Sequence, residues 1–324
     1  MYKLQDIKSV HLEITSKCQA SCPMCVRNIQ GGIESPNLVI SEITLEQFKQ
    51  WFTVNFIQQL DYLYMCGNTG DPVIAKDTLE IFKYLREINP SINLSMNTNG
   101  SARHDKWWQE LAHTGVRVLF GIDGLSKTHA LYRVGTDYFK ILRNAKTFIA
   151  AGGKAEWHML IFQHNEHEVN ECRITSECLG FDKFVAKNTS RFQNDSLSVL
   201  NKDGTVSHVL HPSTRSKDIT QKLNEQDSVQ INCKVKEPGN LYISAEGKIA
   251  PCCWLDFNAV PDTSLSREDF ISKGFVNPSL HVSSLADAFD GNFFNAIENT
   301  WSHTPLRQCA RQCGQVDKFN EQFK

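Results

Sequence analysis

Short apolar runs alternate with longer segments of mixed polarity over the first 190 residues of the chain. Each apolar run has five to eight residues, which is the length of a strand buried on both faces of a sheet. Six such runs are predicted to be parallel strands, at 10–14, 60–66, 92–97, 116–122, 155–162 and 181–186.

Helix-like patterns occupy the segments between these runs. They predict helices over 44–59, 76–88, 106–113, 139–151 and 166–179, the first of them opening with Thr44 and Glu46. Gly115, Gly152 and Gly180 stand where three of the helices should end. Strands that alternate with helices predict an α/β fold of six β/α units, with a parallel sheet, right-handed crossovers and ligand sites at the carboxyl ends of the strands.

Composition narrows the possible functions. The 324 residues carry a formal net charge of -2, and no basic aromatic stripe is present, so nucleic acid is not an expected partner. No apolar run is long enough to span a bilayer, and the N-terminal residues do not resemble a signal peptide. We therefore expect a soluble cytoplasmic protein.

Cysteine spacing is the strongest chemical signal. Cys18, Cys22 and Cys25 lie in HLEITSKCQASCPMCVRN, directly after the first predicted strand. With 11 Cys in the chain, this Cys-x3-Cys-x2-Cys spacing has about 0.01 expected chance matches. Three thiolates can hold three irons of a 4Fe-4S cube and leave the fourth iron open to a small molecule. Zinc is the alternative, although it usually takes four donors, and the odd cysteine count argues against a disulfide framework.

This cysteine run resembles the signature of the radical S-adenosylmethionine (SAM) superfamily. The resemblance implies a partial (β/α)6 radical SAM barrel. It also implies that the open iron binds the amino and carboxylate groups of SAM, and that SAM is cleaved reductively to a 5'-deoxyadenosyl radical. A flavodoxin or ferredoxin type of reductase would supply the electron.

Further segments resemble the SAM-binding parts of that superfamily. The turn of Thr69, Gly70 and Asp71 stands where Gly-Gly-Glu is usual. The segments SMNTNG and FGIDG match regions that place polar groups near the SAM ribose and carboxylate, except that Gly121 stands where serine is common. The cofactor-binding residues that the resemblance implies are Met24, Thr69, Gly70, Asp71, Asn97, Asn99, Asp123 and Arg133. Each of these is open to the alternative of an ordinary turn or packing residue.

A second region is predicted beyond the barrel. Its boundaries divide the chain into a core at 1–190, a polar linker or surface excursion at 191–232 and a C-terminal domain at 233–324. Cys233-x13-Gly247-x4-Cys252 and Cys309-x3-Cys313 resemble the SPASM extension of radical SAM enzymes, in its shortened twitch form. The resemblance implies a small domain with a β-hairpin and a helix. Four cysteines suffice for one auxiliary 4Fe-4S cluster or for a structural zinc, and Cys253 stands next to Cys252 as a possible replacement.

The resemblance implies an oxidoreductase that removes a hydrogen atom from its substrate and passes an electron to the auxiliary cluster. Because the chain begins almost at the barrel, we expect a small polar, carbohydrate-like substrate. The alternatives are a peptide or protein modifier and a non-catalytic metal-binding protein. Cys66 ends the second predicted strand, where its thiol is either a packing group or a hydrogen-atom donor to a substrate radical.

Overall fold

The computed structural model describes residues 3–192, 194–215, 230–257, 260 and 264–314. The strands are β1 (Ser9–Leu12), β2 (Asn28–Ile29), β3 (Ile33–Glu34), β4 (Tyr62–Met65), β5 (Asn93–Thr98), β6 (Arg117–Gly121), β7 (Lys154–Ile161), β8 (Lys183–Asn188), β9 (Leu197–Leu200), β10 (Val206–Leu210), β11 (Asn240–Ile243) and β12 (Ile249–Ala250). The helices are α1 (Leu45–Trp51), α2 (Val54–Gln58), α3 (Thr78–Ile88), α4 (Asp105–Ala112), α5 (Ser126–Tyr132), α6 (Tyr138–Ala150), α7 (Val169–Cys178), α8 (Leu265–Ser272), α9 (Leu285–Asp290), α10 (Phe293–Asn299) and α11 (Arg307–Cys313).

The central sheet has eight strands in the order β12-β11-β1-β4-β5-β6-β7-β8. Strands β1, β4, β5, β6, β7 and β8 are the six predicted runs, and each pairs with its neighbour in parallel. The predicted α/β class and its mostly parallel sheet, consistent with a partial barrel, are therefore confirmed.

The C-terminal hairpin extends this sheet. Strand β11 pairs in parallel with β1, from Ser9 opposite Asn240 to Leu12 opposite Ile243, and β12 returns antiparallel to β11. Gly247, between β11 and β12, has a φ of 70°, which is the left-handed conformation predicted for this turn. The hairpin predicted in a separate C-terminal domain is thus hydrogen-bonded to the barrel sheet, while the division of the chain into three segments stays a prediction.

Three features of the fold differ from the predicted elements. The predicted helix 44–59 is two helices, because Phe52 leaves helical geometry and the Thr53 side chain accepts a hydrogen bond from Phe56 N to begin α2. Helix α5 follows β6 where none was predicted. Within the predicted linker, β9 and β10 form an antiparallel pair that packs Val199 and Leu210 against Tyr132 and Phe162.

The two faces of the sheet differ in polarity. Side chains alternate along each strand, so Val10 and Leu12 point into the main hydrophobic core, and His11 points to the opposite face. On that opposite face lie polar groups, including those of His11, Glu13, Tyr64, Asn97 and His158. None of the helices in the described ranges has the length and apolar character of a membrane span.

Candidate active site

The loop that carries Cys18, Cys22 and Cys25 follows β1 at its carboxyl end, as predicted. All three thiols are free and half-buried. They lie close enough together that the thiols of Cys22 and Cys25 contribute to the raised pKa of Cys18. The loop is fixed by two backbone hydrogen bonds, from Cys25 N to Cys22 O at 3.0 Å and from Ser21 N to Val134 O at 2.8 Å.

The surroundings of these thiols suit sulfur that binds metal. Burial raises the pKa of Cys18 to about 12 and that of Cys22 to about 11, so the free thiols are neutral at pH 7. Two N–H groups point at Cys18 Sγ, from Ala20 N at 3.4 Å and Asn99 Nδ2 at 3.7 Å. Hydrogen bonds to sulfur are typical of iron–sulfur sites, where the metal holds the thiolates ionised.

Arg133 brings a positive charge to the same place. Its Nε donates to Asp123 Oδ2 at 2.6 Å, and the other carboxylate oxygen of Asp123 accepts from Leu160 N at 2.6 Å. The Asp123 side chain is fully buried. The nearby charge of Arg133 opposes the effect of burial on Cys22 and lowers the pKa of that thiol. The arginine is therefore held between the fourth barrel strand and the cysteine loop.

The predicted SAM turn packs directly on the segment that leads to the cysteines. A Cβ atom at Gly70 would stand 1.9 Å from Thr15 O, so only glycine fits there. The Asp71 carboxylate accepts from Asn99 N at 2.7 Å, Thr98 Oγ1 at 2.8 Å and Val73 N at 3.1 Å. By accepting these three hydrogen bonds, the buried carboxylate of Asp71 holds the turn in its conformation. The Thr69 carbonyl oxygen accepts from Arg27 Nη1 at 2.9 Å.

The remaining predicted residues have varied surroundings. Asn99 Oδ1 accepts from Gln19 Nε2 at 2.6 Å, beside the cysteine loop. Asn97 Nδ2 donates instead to Cys66 Sγ at 3.2 Å. Met24 packs with Cys22 in the apolar cluster around Tyr132. The structure therefore brings Asn99, Arg133 and Met24 next to the cysteine loop, whereas Asn97 contacts Cys66.

Sequence reasoning gave no site role to three residues at this end of the barrel, and it set His11 aside as a metal ligand because His11 lies in a predicted strand. His11 and Glu13 are 2% and 1% exposed, and His11 Nε2 lies 2.7 Å from Glu13 Oε1. Arg27 is also buried, and its Nη2 donates to Glu34 Oε1 at 2.8 Å. The sequence did carry a signal for His11 and Glu13, since these two polar residues alternate with the apolar residues Val10, Leu12 and Ile14 in the first predicted strand.

The four C-terminal cysteines line one cavity. Cys233, Cys252, Cys309 and Cys313 all line this cavity, together with apolar side chains such as Leu255 and Ile297. Cys233 donates a hydrogen bond to the Cys313 sulfur, which lowers the pKa of Cys313 and raises the pKa of Cys233.

The neighbours of Cys252 and Cys253 differ. The thiols of Cys309 and Cys313 lie near Cys252, whereas the thiol of Cys253 lies near His11. Trp301 also lines the cavity, and its buried Nε1 lacks a hydrogen-bond partner of ordinary geometry among the residues that the structure describes. Four converging thiols and an N–H available to sulfur fit a fully ligated cluster or a closed zinc site.

The fold is that of solved radical SAM enzymes. Streptococcus suis SuiB superposes with a TM-score of 0.58 at 14% identity, over 90% of this chain and 68% of SuiB. The same protein solved with precursor peptide SuiA gives a TM-score of 0.55 at 12% identity, over 89% of this chain and 66% of that one. For anSMEcpe with bound AdoMet, the TM-score is 0.55 at 15% identity, over 89% of this chain and 80% of that one. This chain thus spans about two thirds of the SuiB chain.

The sequence agrees with the class that the fold and the cysteine loop define. Residues 12–172 match the model of the Radical SAM superfamily. The matched range contains the cysteine loop and runs from the end of β1 into α7. This match supports an enzyme that uses an iron–sulfur cluster and SAM. No curated protein sequence matches the chain.

Proposed function

We propose that the protein is a radical SAM oxidoreductase that acts on a small polar, carbohydrate-like substrate. The observation that carries the proposal is the arrangement at the carboxyl end of β1, where three free thiols lie together beside the Arg133–Asp123 pair. When bound, the cluster and SAM supply a 5'-deoxyadenosyl radical that removes a hydrogen atom from the substrate. The chain supplies binding, orientation and the exclusion of water.

Each residue near the thiols has a proposed part in holding SAM. Arg133 offers its guanidinium to the SAM carboxylate, and Asp123 acts through Arg133 because both of its oxygens are already engaged. Backbone groups of Thr69 and Gly70 contact the amino group. Met24 packs on the adenine ring, as a thioether packs well on aromatic faces.

Two more predicted residues act by positioning. Asn99 orients Cys18, with which it shares a weak hydrogen bond. Asp71 holds the SAM turn in shape through its three donors.

The polar face of the sheet, opposite the main hydrophobic core, favours a polar substrate. His158 is about one quarter exposed there, and its Nε2 lies 2.9 Å from Glu156 Oε2. Glu156 Oε1 in turn accepts from Arg117 Nη1 at 3.1 Å. Such a row of charged and hydrogen-bonding groups matches hydroxyl or amino groups better than apolar side chains.

We further propose that Cys233, Cys252, Cys309 and Cys313 hold an auxiliary 4Fe-4S cluster. With all four irons ligated, this cluster would accept the electron that the substrate loses, so that the net reaction is a two-electron oxidation. The N–H of Trp301 faces the Cys309 sulfur and lowers the pKa of that thiol, which supports a sulfur-ligated group in the cavity. The electron for SAM cleavage would come from a flavodoxin or a ferredoxin.

A peptide substrate is the second candidate. SuiB was solved with its precursor peptide SuiA and anSMEcpe with the Cp18Cys peptide, on a fold that this chain shares. The rate of 5'-deoxyadenosine formation separates the two candidates. A carbohydrate or aminocyclitol mixture should raise that rate if the substrate is small, whereas a peptide mixture should raise it in the other case.

The test of the main proposal is iron and sulfide per chain after anaerobic reconstitution, with 5'-deoxyadenosine measured on the same sample. We expect about eight irons and product from SAM and dithionite. Cys22→Ala should abolish the product, and Cys178→Ala, which changes an exposed thiol on α7, should not. Product formation by the Cys22 variant, or no product from the wild-type protein, would refute the proposal.

A further inference from the structure

His11, Glu13 and Cys66 form a cluster inside the barrel that the proposed SAM and substrate chemistry does not use. One ligand atom from each residue lies within 4.8 Å of the other two. His11 Nε2 and Glu13 Oε1 are 2.7 Å apart. The cluster is well shielded from water, because the side chains of His11 and Glu13 are almost fully buried and that of Cys66 is half-buried.

We propose that His11, Glu13 and Cys66 bind one divalent transition-metal ion, for which zinc is the best match. Imidazole nitrogen, thiolate sulfur and carboxylate oxygen are the three donors that zinc takes in proteins. A tetrahedral zinc with bonds of about 2.0–2.3 Å separates its donors by roughly 3.3–3.8 Å. The donors therefore need to move apart by roughly half an ångström to one ångström at the His11–Glu13 contact, which side-chain rotation supplies.

Charge balance favours the ion. A neutral imidazole, a carboxylate and a thiolate together carry two negative charges, which a divalent cation cancels in this buried place.

Each of the three donor residues also makes a second contact that fixes its orientation, as metal ligands usually do. Glu13 Oε2 accepts from Asn68 N at 2.8 Å, which leaves Oε1 for the ion. Cys66 Sγ accepts from Asn97 Nδ2 at 3.2 Å. The imidazole of His11 stacks on Tyr64, with ring centres 4.5 Å apart, and meets the edge of Tyr242 at 4.9 Å.

Cys253 lies near His11 but outside the group of three donors. Its thiol is close enough to His11 to raise the pKa of the imidazole, while the thiol of its neighbour Cys252 lies near Cys309 and Cys313. The three residues supply one nitrogen, one carboxylate oxygen and one sulfur, and a movement of Cys253 toward the ion would add a second sulfur. A metal-bound Cys66 carries no S–H hydrogen, so this site excludes a role for Cys66 as a hydrogen-atom donor.

Metal analysis of the reconstituted full chain tests the inference, and it does not depend on SAM cleavage or on the substrate. With zinc in the growth medium, we expect about one zinc per chain in addition to the cluster iron. X-ray absorption at the zinc edge should show one or two sulfurs at about 2.3 Å and nitrogen or oxygen at about 2.0 Å. Cys66→Ser and His11→Gln should each lower the zinc content at least fivefold and leave the iron content unchanged.

The control is Cys178→Ser, which should keep the full zinc content because Cys178 is exposed on α7. Cys66→Ser changes one atom of a half-buried side chain, so it gives a valid result even if His11→Gln fails to fold. A zinc edge with four sulfurs would mean that zinc occupies the C-terminal cysteines, and the proposal would be wrong. It would equally be overturned by protein that contains iron only, or by Cys66→Ser protein that retains zinc.

Discussion

The guanidinium of Arg133 lies against the backbone of Gly121. A Cβ atom at Gly121 would stand 2.6 Å from Arg133 Nη2 and 2.9 Å from Cζ. The resemblance to the radical SAM superfamily leads one to expect a serine there, and the structure explains the glycine through the space that Arg133 takes. Because Arg133 also pairs with Asp123 and lowers the pKa of Cys22, the glycine places this positive charge beside the cluster loop.

Gly121→Ala should therefore displace Arg133. Overpacking of this kind costs about 1–3 kcal/mol of unfolding free energy. If Arg133 binds the SAM carboxylate, the dissociation constant for SAM should rise about tenfold, measured by equilibrium dialysis on reconstituted protein. Gly291→Ala is the matched control, since Gly291 has a φ of -66° and its added Cβ would meet nothing closer than 3.5 Å. An unchanged SAM affinity in Gly121→Ala would remove Arg133 from the proposed SAM site.

Gly70→Ala should be more harmful than Gly121→Ala. The added Cβ would meet backbone atoms, at 1.9 Å from Thr15 O and 2.6 Å from Thr15 C, and a backbone cannot rotate away as a side chain does. We expect a loss of about 3 kcal/mol or more in urea unfolding, at the upper end of overpacking costs. Gly291→Ala again serves as the control. A loss of stability no larger than that of the control would show that the turn moves freely relative to β1.

Acid should destabilise the protein through His129. Burial and the charge of Arg133 hold the pKa of His129 at about 3, and its Nδ1 accepts a hydrogen bond from Asp123 N at 3.1 Å. The pKa of a histidine in the unfolded chain is near 6.5. Below this pH the unfolded chain binds a proton at His129, whereas the folded chain binds it only near pH 3. The unfolding free energy should fall by about 1.4 kcal/mol from pH 7.5 to pH 5.5 on account of this residue.

His129→Asn isolates that contribution. The asparagine oxygen can replace Nδ1 as the acceptor for Asp123 N, and it does not titrate in this range. The difference between the wild-type and variant unfolding free energies should shrink by about 1.4 kcal/mol between pH 7.5 and pH 5.5 in urea titrations. Equal pH dependence in the two proteins would mean that His129 has the same pKa in the folded and the unfolded chain.

Two adjacent cysteines should behave differently. Cys252 lines the cavity with the three other C-terminal cysteines, whereas the thiol of Cys253 lies near His11. Cys252→Ala should lower iron from about eight to about four per chain and leave SAM cleavage intact, while Cys253→Ala should keep about eight. Iron analysis with a 5'-deoxyadenosine assay measures both. The reverse result would make Cys253 the cluster ligand.

Much of the fold was predictable because its signals are local. The six apolar runs gave the parallel strands, and three glycines at helix ends have the expected positive φ values, at Gly115, Gly152 and Gly180. Helix α5 was missed because Ser126–Tyr132 is short and half polar. The break at Phe52 was missed because the sequence pattern fits a helical position at Thr53. Only the structure shows that the Thr53 side chain caps the start of α2.

The spacing of Cys18, Cys22 and Cys25 by itself determined that a metal cluster was the leading chemistry, because three thiols within eight residues must lie close in any compact loop. The tertiary structure alone decided which distant groups meet them. The pairing of β11 with β1, the contact of Asn97 with Cys66 and the approach of Arg133 to Gly121 join parts of the chain that local patterns do not relate. Strand register and alternation set which side chains share a face of the sheet, and register is fixed by packing across the whole molecule.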